Sequence, residues 1–167
     1  MGSLIVAAAA HAAPPHEHGV ARLDVAVEAG RVSIEFDTPL DNLLGFERAP
    51  RSDAERDKVT ALVARLRAGD VLFRIDSAAG CSLEKVDLVS APIGLGKERS
   101  AAAVGDHADL NGSFDFRCKD GARAGFVEIG LFDAFPGLKR IDLQLATPRG
   151  QIKAVLRRPA SRVALVR

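Results

Sequence analysis

The stretch Ala21–Pro39, "ARLDVAVEAGRVSIEFDTP", alternates apolar and polar residues twice in succession. This period of two constrains the fold more than any other feature. Leu23, Val25 and Val27 fall on one side of an extended chain, and Arg22, Asp24 and Glu28 on the other. Beyond Ala29-Gly30, Val32, Ile34 and Phe36 alternate in the same way with Ser33, Glu35 and Asp37. Two such runs around a glycine turn predict a β-hairpin with one buried and one wet face. A one-faced hairpin must lay its apolar side on further elements. Pro39 stops the second strand, and "LDNLLGF" reads as a single helical turn or a tight corner.

One substantial helix follows. Ser52 and Glu55 form a capping box, and Val59, Leu62, Val63 and Leu66 recur at the spacing of one helical stripe. Gly69 is placed as the C-terminal cap. The opposite face is charged. Further strands are predicted at Val71–Ile75, 81–91, 108–118, Phe126–Phe132, Leu138–Ala146, Ile152–Arg157 and Arg162–Val166. Leu110, Phe114, Phe116 and Cys118 share one parity, as do Ile141, Leu143 and Leu145, and Gly150 turns the last clear hairpin. The fold class is therefore α+β: a single domain, mostly antiparallel sheet of about eight strands with one long helix.

The two cysteines, Cys81 and Cys118, have neither CxxC spacing nor a Cys–His spacing of the structural zinc type. Segments 81–91 and 108–118 are equal in length, so an antiparallel pairing sets the first residue of one opposite the last of the other. Those residues are Cys81 and Cys118, and a disulfide between them fits an oxidising compartment. The N-terminus points the same way. Leu4–Ala10 is a short apolar run, and Ala10-His11-Ala12 has the small-x-small form of a cleavage site. Residues 1–12 are read as a leader, 13–19 as an N-terminal metal-binding segment, and 20–167 as the domain. The apolar run is shorter than the ~20 residues a membrane span needs.

Composition narrows the function. A formal net charge of +1 recruits neither nucleic acid nor an anionic membrane, and Trp and Tyr, the usual stacking platforms, are both absent. No GxSxG elbow and no glycine-rich phosphate cradle is present, so the chain is not expected to be an enzyme.

The histidines carry the remaining chemistry. With the leader removed, three of the four stay: His16, His18 and His107. Residues two apart on an extended chain project to one side, so His16 and His18 in "HEHG" present two imidazoles together, and His107 and Asp109 in "DHAD" pair likewise. Extending the first strand back through Gly19 would set His16 and His18 on the polar side with Arg22 and Asp24. His16, His18, His107 and Asp109 are thus a candidate N3O set for zinc, which takes such donors at about 2.0–2.2 Å. Copper is the alternative metal, since imidazole sites hold Cu(II) tightly. The alternative function is a metal-independent, exported interaction module that docks a partner by a sheet face or edge.

Four segments carry a family resemblance: "HEHGVARLDVAVEAGRVSIEFDTPLDNLLGFERAPRS", "AAGCSLEKVDL", "DHADLNGSFDFRC" and "LFDAFPGLKRIDLQLATPRGQ". In order and spacing they resemble the ZrgA-like periplasmic zinc-binding proteins of Gram-negative bacteria, from His16 to about Gln151. "NLLGFERAP" and "LFDAFP" are the most specific parts. The resemblance implies a periplasmic protein that binds zinc and assists its uptake beside an ABC importer. It also implies a Cys81–Cys118 disulfide and metal ligands from the HEHG and DHAD segments. The family commonly has "GFEHAP"; here Arg48 takes the place of that His, and the adjacent Glu47 is a further candidate ligand. Asn111 stands where several relatives carry a ligand-type residue. Some members carry a His- and Asp-rich insertion before DHAD, whereas "SAPIGLGKERSAAAVGD" has no His, which implies one main site.

Overall fold

The computed structural model describes residues 17–96 and 108–165. The predicted hairpin is there: β1 (Val20–Val27) and β2 (Arg31–Pro39) pair antiparallel, with Leu23 opposite Phe36 and Val25 opposite Ile34. Leu23, Val25, Val32, Ile34 and Phe36 are all at most 2% exposed, so the alternation separates core from solvent as read.

A helical turn, α1 (Asp41–Leu44), follows β2 and ends at Gly45, whose φ of +78° suits glycine. The long helix α2 (Asp53–Arg67) starts where expected, with Ser52 Oγ accepting the Glu55 N–H at 3.2 Å. The capping box is not reciprocal, however. The Glu55 carboxylate accepts the Arg51 N–H at 2.6 Å and both terminal nitrogens of Arg48 at 2.8–2.9 Å. Leu62 and Leu66 are buried, while Val59 packs at the core margin.

Two predicted strands are part helix. Gly69 does not cap α2; Ala68 does, and Gly69 opens a separate turn, α3 (Gly69–Leu72), before the short β3 (Phe73–Ile75). A Cβ on Gly69 would sit 2.6 Å from the Phe114 ring, so close packing is what requires glycine there. Likewise Phe126–Phe132 divides into β6 (Phe126–Ile129) and α4 (Leu131–Ala134), once β4 (Cys81–Val89) and β5 (Asp109–Cys118) have passed. The reason is common to both. Leu72 and Phe73 are both buried, as are Leu131 and Phe132, and consecutive residues of a one-faced strand cannot both point inward.

β7 (Arg140–Thr147), β8 (Gly150–Arg157) and β9 (Arg162–Ala164) complete nine strands among the described residues. They form a six-stranded sheet ordered β4-β5-β2-β1-β7-β8 and a three-stranded sheet ordered β3-β6-β9. Every pairing is antiparallel except β1 with β7. The small sheet lies on the core face of the large one, with Phe73 edge-on to Phe114 at 4.9 Å between ring centres. One apolar cluster spans both sheets and the helices, so the α+β, single-domain reading holds with one strand more than expected. The other face of the large sheet is open and charged. β4 ends at Val89 and β5 begins at Asp109, slightly inside the predicted segments, but their register sets Cys81 opposite Cys118, and the two are bonded.

Candidate metal centre

The leader (1–12), His16 and His107 lie outside the described residues, as does Val166 at the predicted end of the last strand. His18 and Asp109 are described.

The first strand does not run back through HEHG. Val20 N–H closes a turn on the Glu17 carbonyl at 3.1 Å, and Gly19 sits at φ +82°, where a side chain would be strained. The expected placement of His18 beside Arg22 and Asp24 is therefore corrected: the turn swings it toward α1. Its Nδ1 lies 2.9 Å from Asp41 Oδ2, and its Nε2 lies 3.6 Å from Glu47 Oε1. The imidazole is 67% exposed, Asp41 35% and Glu47 41%, so the group sits at the surface within reach of solvent ions.

The strands bearing the two histidine segments are not neighbours, because β2 lies between β1 and β5. What gathers their ends is α1. Leu40 N–H donates to the Ala108 carbonyl at 2.8 Å, holding the residue next to His107. Asp41 meets the His18 ring, and Asn42 accepts the Gly19 N–H at 2.5 Å and donates to the Val20 carbonyl at 2.9 Å. Asp109 starts β5 opposite Pro39, and its carbonyl accepts from Ser90 Oγ at 2.7 Å.

Three further anchors frame the turn. Arg140 forks between Glu17, at 2.8 and 3.3 Å, and Asp142, at 3.0 and 3.1 Å. The Gly19 carbonyl accepts from Lys139 and Arg140 N–H at 2.7 and 3.0 Å. Arg48 stacks on Phe46 and grips Glu55, fixing the loop that carries Glu47. These contacts also hold the Glu55 carboxyl down at about 2, through the Arg48 guanidinium first and the Arg51 N–H second. Arg48 thus acts as a strut for the loop that carries Glu47.

Among the described residues, no three or more His, Cys, Asp or Glu side chains converge as a metal cage. The carboxylates around His18 face opposite ring nitrogens and cannot share one ion. The Nε2–Oε1 gap is nevertheless suggestive in size. Two donors about 2.1 Å from a tetrahedral zinc lie about 3.4 Å apart, against the 3.6 Å here. Asp41 on Nδ1 holds the place that an outer carboxylate takes behind a metal-bound imidazole. A groove of about 570 Å³ elsewhere on the open sheet face, lined by Asp24, Glu35, Gln144 and Lys153 among others, contains none of the candidate ligands.

Sequence reasoning singled out His18 and Glu47 but missed Asp41 and Asn42. The signal was present: an Asp-Asn pair in the otherwise apolar corner "LDNLLGF", right after a strand-ending proline. The two most specific segments of the resemblance meet here, since a Cβ on Gly137, just past "LFDAFP", would run into the Asn42 carbonyl. No curated protein matches the chain. The family model described as ZrgA family zinc uptake protein matches residues 15–165, and the chain belongs to that family.

Proposed function

We propose that this is a zinc-binding protein of zinc acquisition, a binding protein rather than an enzyme, working in the periplasm beside an ABC importer. The observation that carries the zinc reading is the His18 ring, oriented by Asp41 on one nitrogen and facing Glu47 across a two-donor gap on the other. His18 Nε2 and Glu47 would hold the ion, with His16, His107 and Asp109 as the candidates for the remaining positions. Zinc suits a mixed imidazole–carboxylate set and needs no redox partner. Zinc here is cargo: a surface site with exposed donors lets the ion enter and leave.

Family membership supports the uptake role. Export is supported by the Cys81–Cys118 bond, which persists in oxidising compartments. Among the described residues no helix is long and apolar enough to cross a membrane.

Calorimetric titration of the leaderless protein with zinc tests the reading, comparing wild type with His18→Ala and with His16→Ala/His18→Ala. The expected result is a saturable site in wild type that both variants weaken. Equal zinc affinity in all three would remove HEHG from the site. Thermal melting separates this from a metal-independent interaction module. Zinc at 100 times its dissociation constant adds about 2.7 kcal/mol to a native-state binder and nothing to the module.

A further inference from the structure

We propose that Asn42 is a positioning residue for zinc, setting the His18 turn in its binding shape before the metal arrives. The inference rests on the reading above in taking His18 as a ligand. Three hydrogen bonds carry it. Asn42 Oδ1 accepts the Gly19 N–H at 2.5 Å, and Nδ2 donates both to the Val20 carbonyl at 2.9 Å and to Thr38 Oγ1 at 2.9 Å. The orientation is chemically forced, since a backbone N–H can only donate and a carbonyl can only accept. No other side chain of this length offers an acceptor and two donors together; Asp lacks the donors and Leu lacks both.

Asn42 is 5% exposed, whereas the imidazole it serves is 67% exposed. The exposed ring has little packing to hold it, so its position depends on its backbone. That backbone is clamped from both sides, by Asn42 on the Gly19 N–H and by Lys139 and Arg140 on the Gly19 carbonyl. Consecutive residues of α1 thus address consecutive residues of the turn: Asp41 takes the His18 ring and Asn42 the Gly19 amide. Asn42 is itself immobilised, because the chain at Gly137 lies against its carbonyl too closely for any Cβ. A ligand held in advance loses less freedom on binding, which raises affinity without a new contact to the metal.

The test is a double-mutant cycle on the full chain. Asn42→Ala, His18→Ala and the double variant are titrated with zinc chloride against a chromophoric chelator. Cobalt(II) spectra of wild type and Asn42→Ala report donor geometry. Asn42→Ala should weaken zinc binding about tenfold and alter the cobalt spectrum. In the His18→Ala background the same change should have almost no effect, because neighbours acting as a unit are non-additive. Gly19→Ala, which strains the same turn at φ +82°, should reproduce the loss and serves if Asn42→Ala fails to fold. Wild-type affinity in folded Asn42→Ala, or in Gly19→Ala where it stands in, overturns the inference, as does an equal loss in both backgrounds. If His18→Ala alone binds zinc like wild type, the ligand assignment fails first, and the inference with it.

Discussion

Replacing Asp41 separates a metal site from a surface ion pair. Asp41 Oδ2 accepts from His18 Nδ1 at 2.9 Å, fixing the ring so that Nε2 faces Glu47. Loss of such an outer carboxylate typically costs 10–100-fold in metal affinity. The exposure of the pair selects the lower end of that range. With the imidazole 67% and the carboxylate 35% accessible, water and salt screen the charge, and the ring finds other acceptors when Asp41 is gone. Asp41→Ala should therefore weaken zinc binding about tenfold, or about 1.4 kcal/mol. Asp41→Asn, which keeps an acceptor but drops the charge, should lose less. Chelator competition at pH 7.5 measures both, and added salt should narrow the gap between Asp41→Asn and wild type. The metal-free variants should melt within about 4 °C of wild type, because an exposed pair contributes at most about 1 kcal/mol. If Asp41→Ala binds zinc as wild type does while His18→Ala does not, Asp41 orients nothing and the ring is held some other way.

Breaking the Cys81–Cys118 bond, which spans 37 residues, should lower unfolding free energy by about 4 kcal/mol in the chain-entropy picture; urea titration of Cys81→Ser/Cys118→Ser reads it, and an unchanged midpoint refutes it. The Glu55 carboxyl is held down from its ordinary 4.5 to about 2, so it adds stability above pH 4.5 that is lost as pH falls toward 2. Glu55→Gln should flatten that part of a stability-against-pH curve and leave the curve's slope near neutrality unchanged. Gly137→Ala drives a methyl into the Asn42 carbonyl and should destabilise the chain by about 1–3 kcal/mol, with slowed amide exchange at Gly19 counting against it. Zinc affinity should fall on acidification, because protons compete with the metal for imidazole donors; a flat calorimetric profile between pH 8 and 5.5 would point to carboxylates alone.

Much of the fold was legible because burial on one face of a sheet writes itself as a period of two. Leu23–Val27, Val32–Phe36 and Leu110–Cys118 were assigned correctly residue by residue, and the bridged pair followed from register alone. Where both neighbours are buried, at Leu72-Phe73 and Leu131-Phe132, a short apolar run carries no period, and turns were read as strand. The parity argument also failed at His18, where Gly19 turns the chain and the extended geometry it presumes is lost.

By itself, then, the order of residues determined local matters: which side chains turn inward, where the long helix begins, which cysteines pair, and that His18 is a candidate ligand, while Glu47 came only from the family resemblance. Only the tertiary structure decided that the corner at Leu40–Asn42 bonds both to the His18-Gly19 turn and to Ala108, just before β5. Leu40 holds Ala108, Asp41 holds His18 and Asn42 holds Gly19, across separations from 23 to 68 residues in the chain. Local patterns arise from each residue's choice between water and core. A site is made of donors brought together by long-range backbone pairing, and no spacing along the chain encodes that distance.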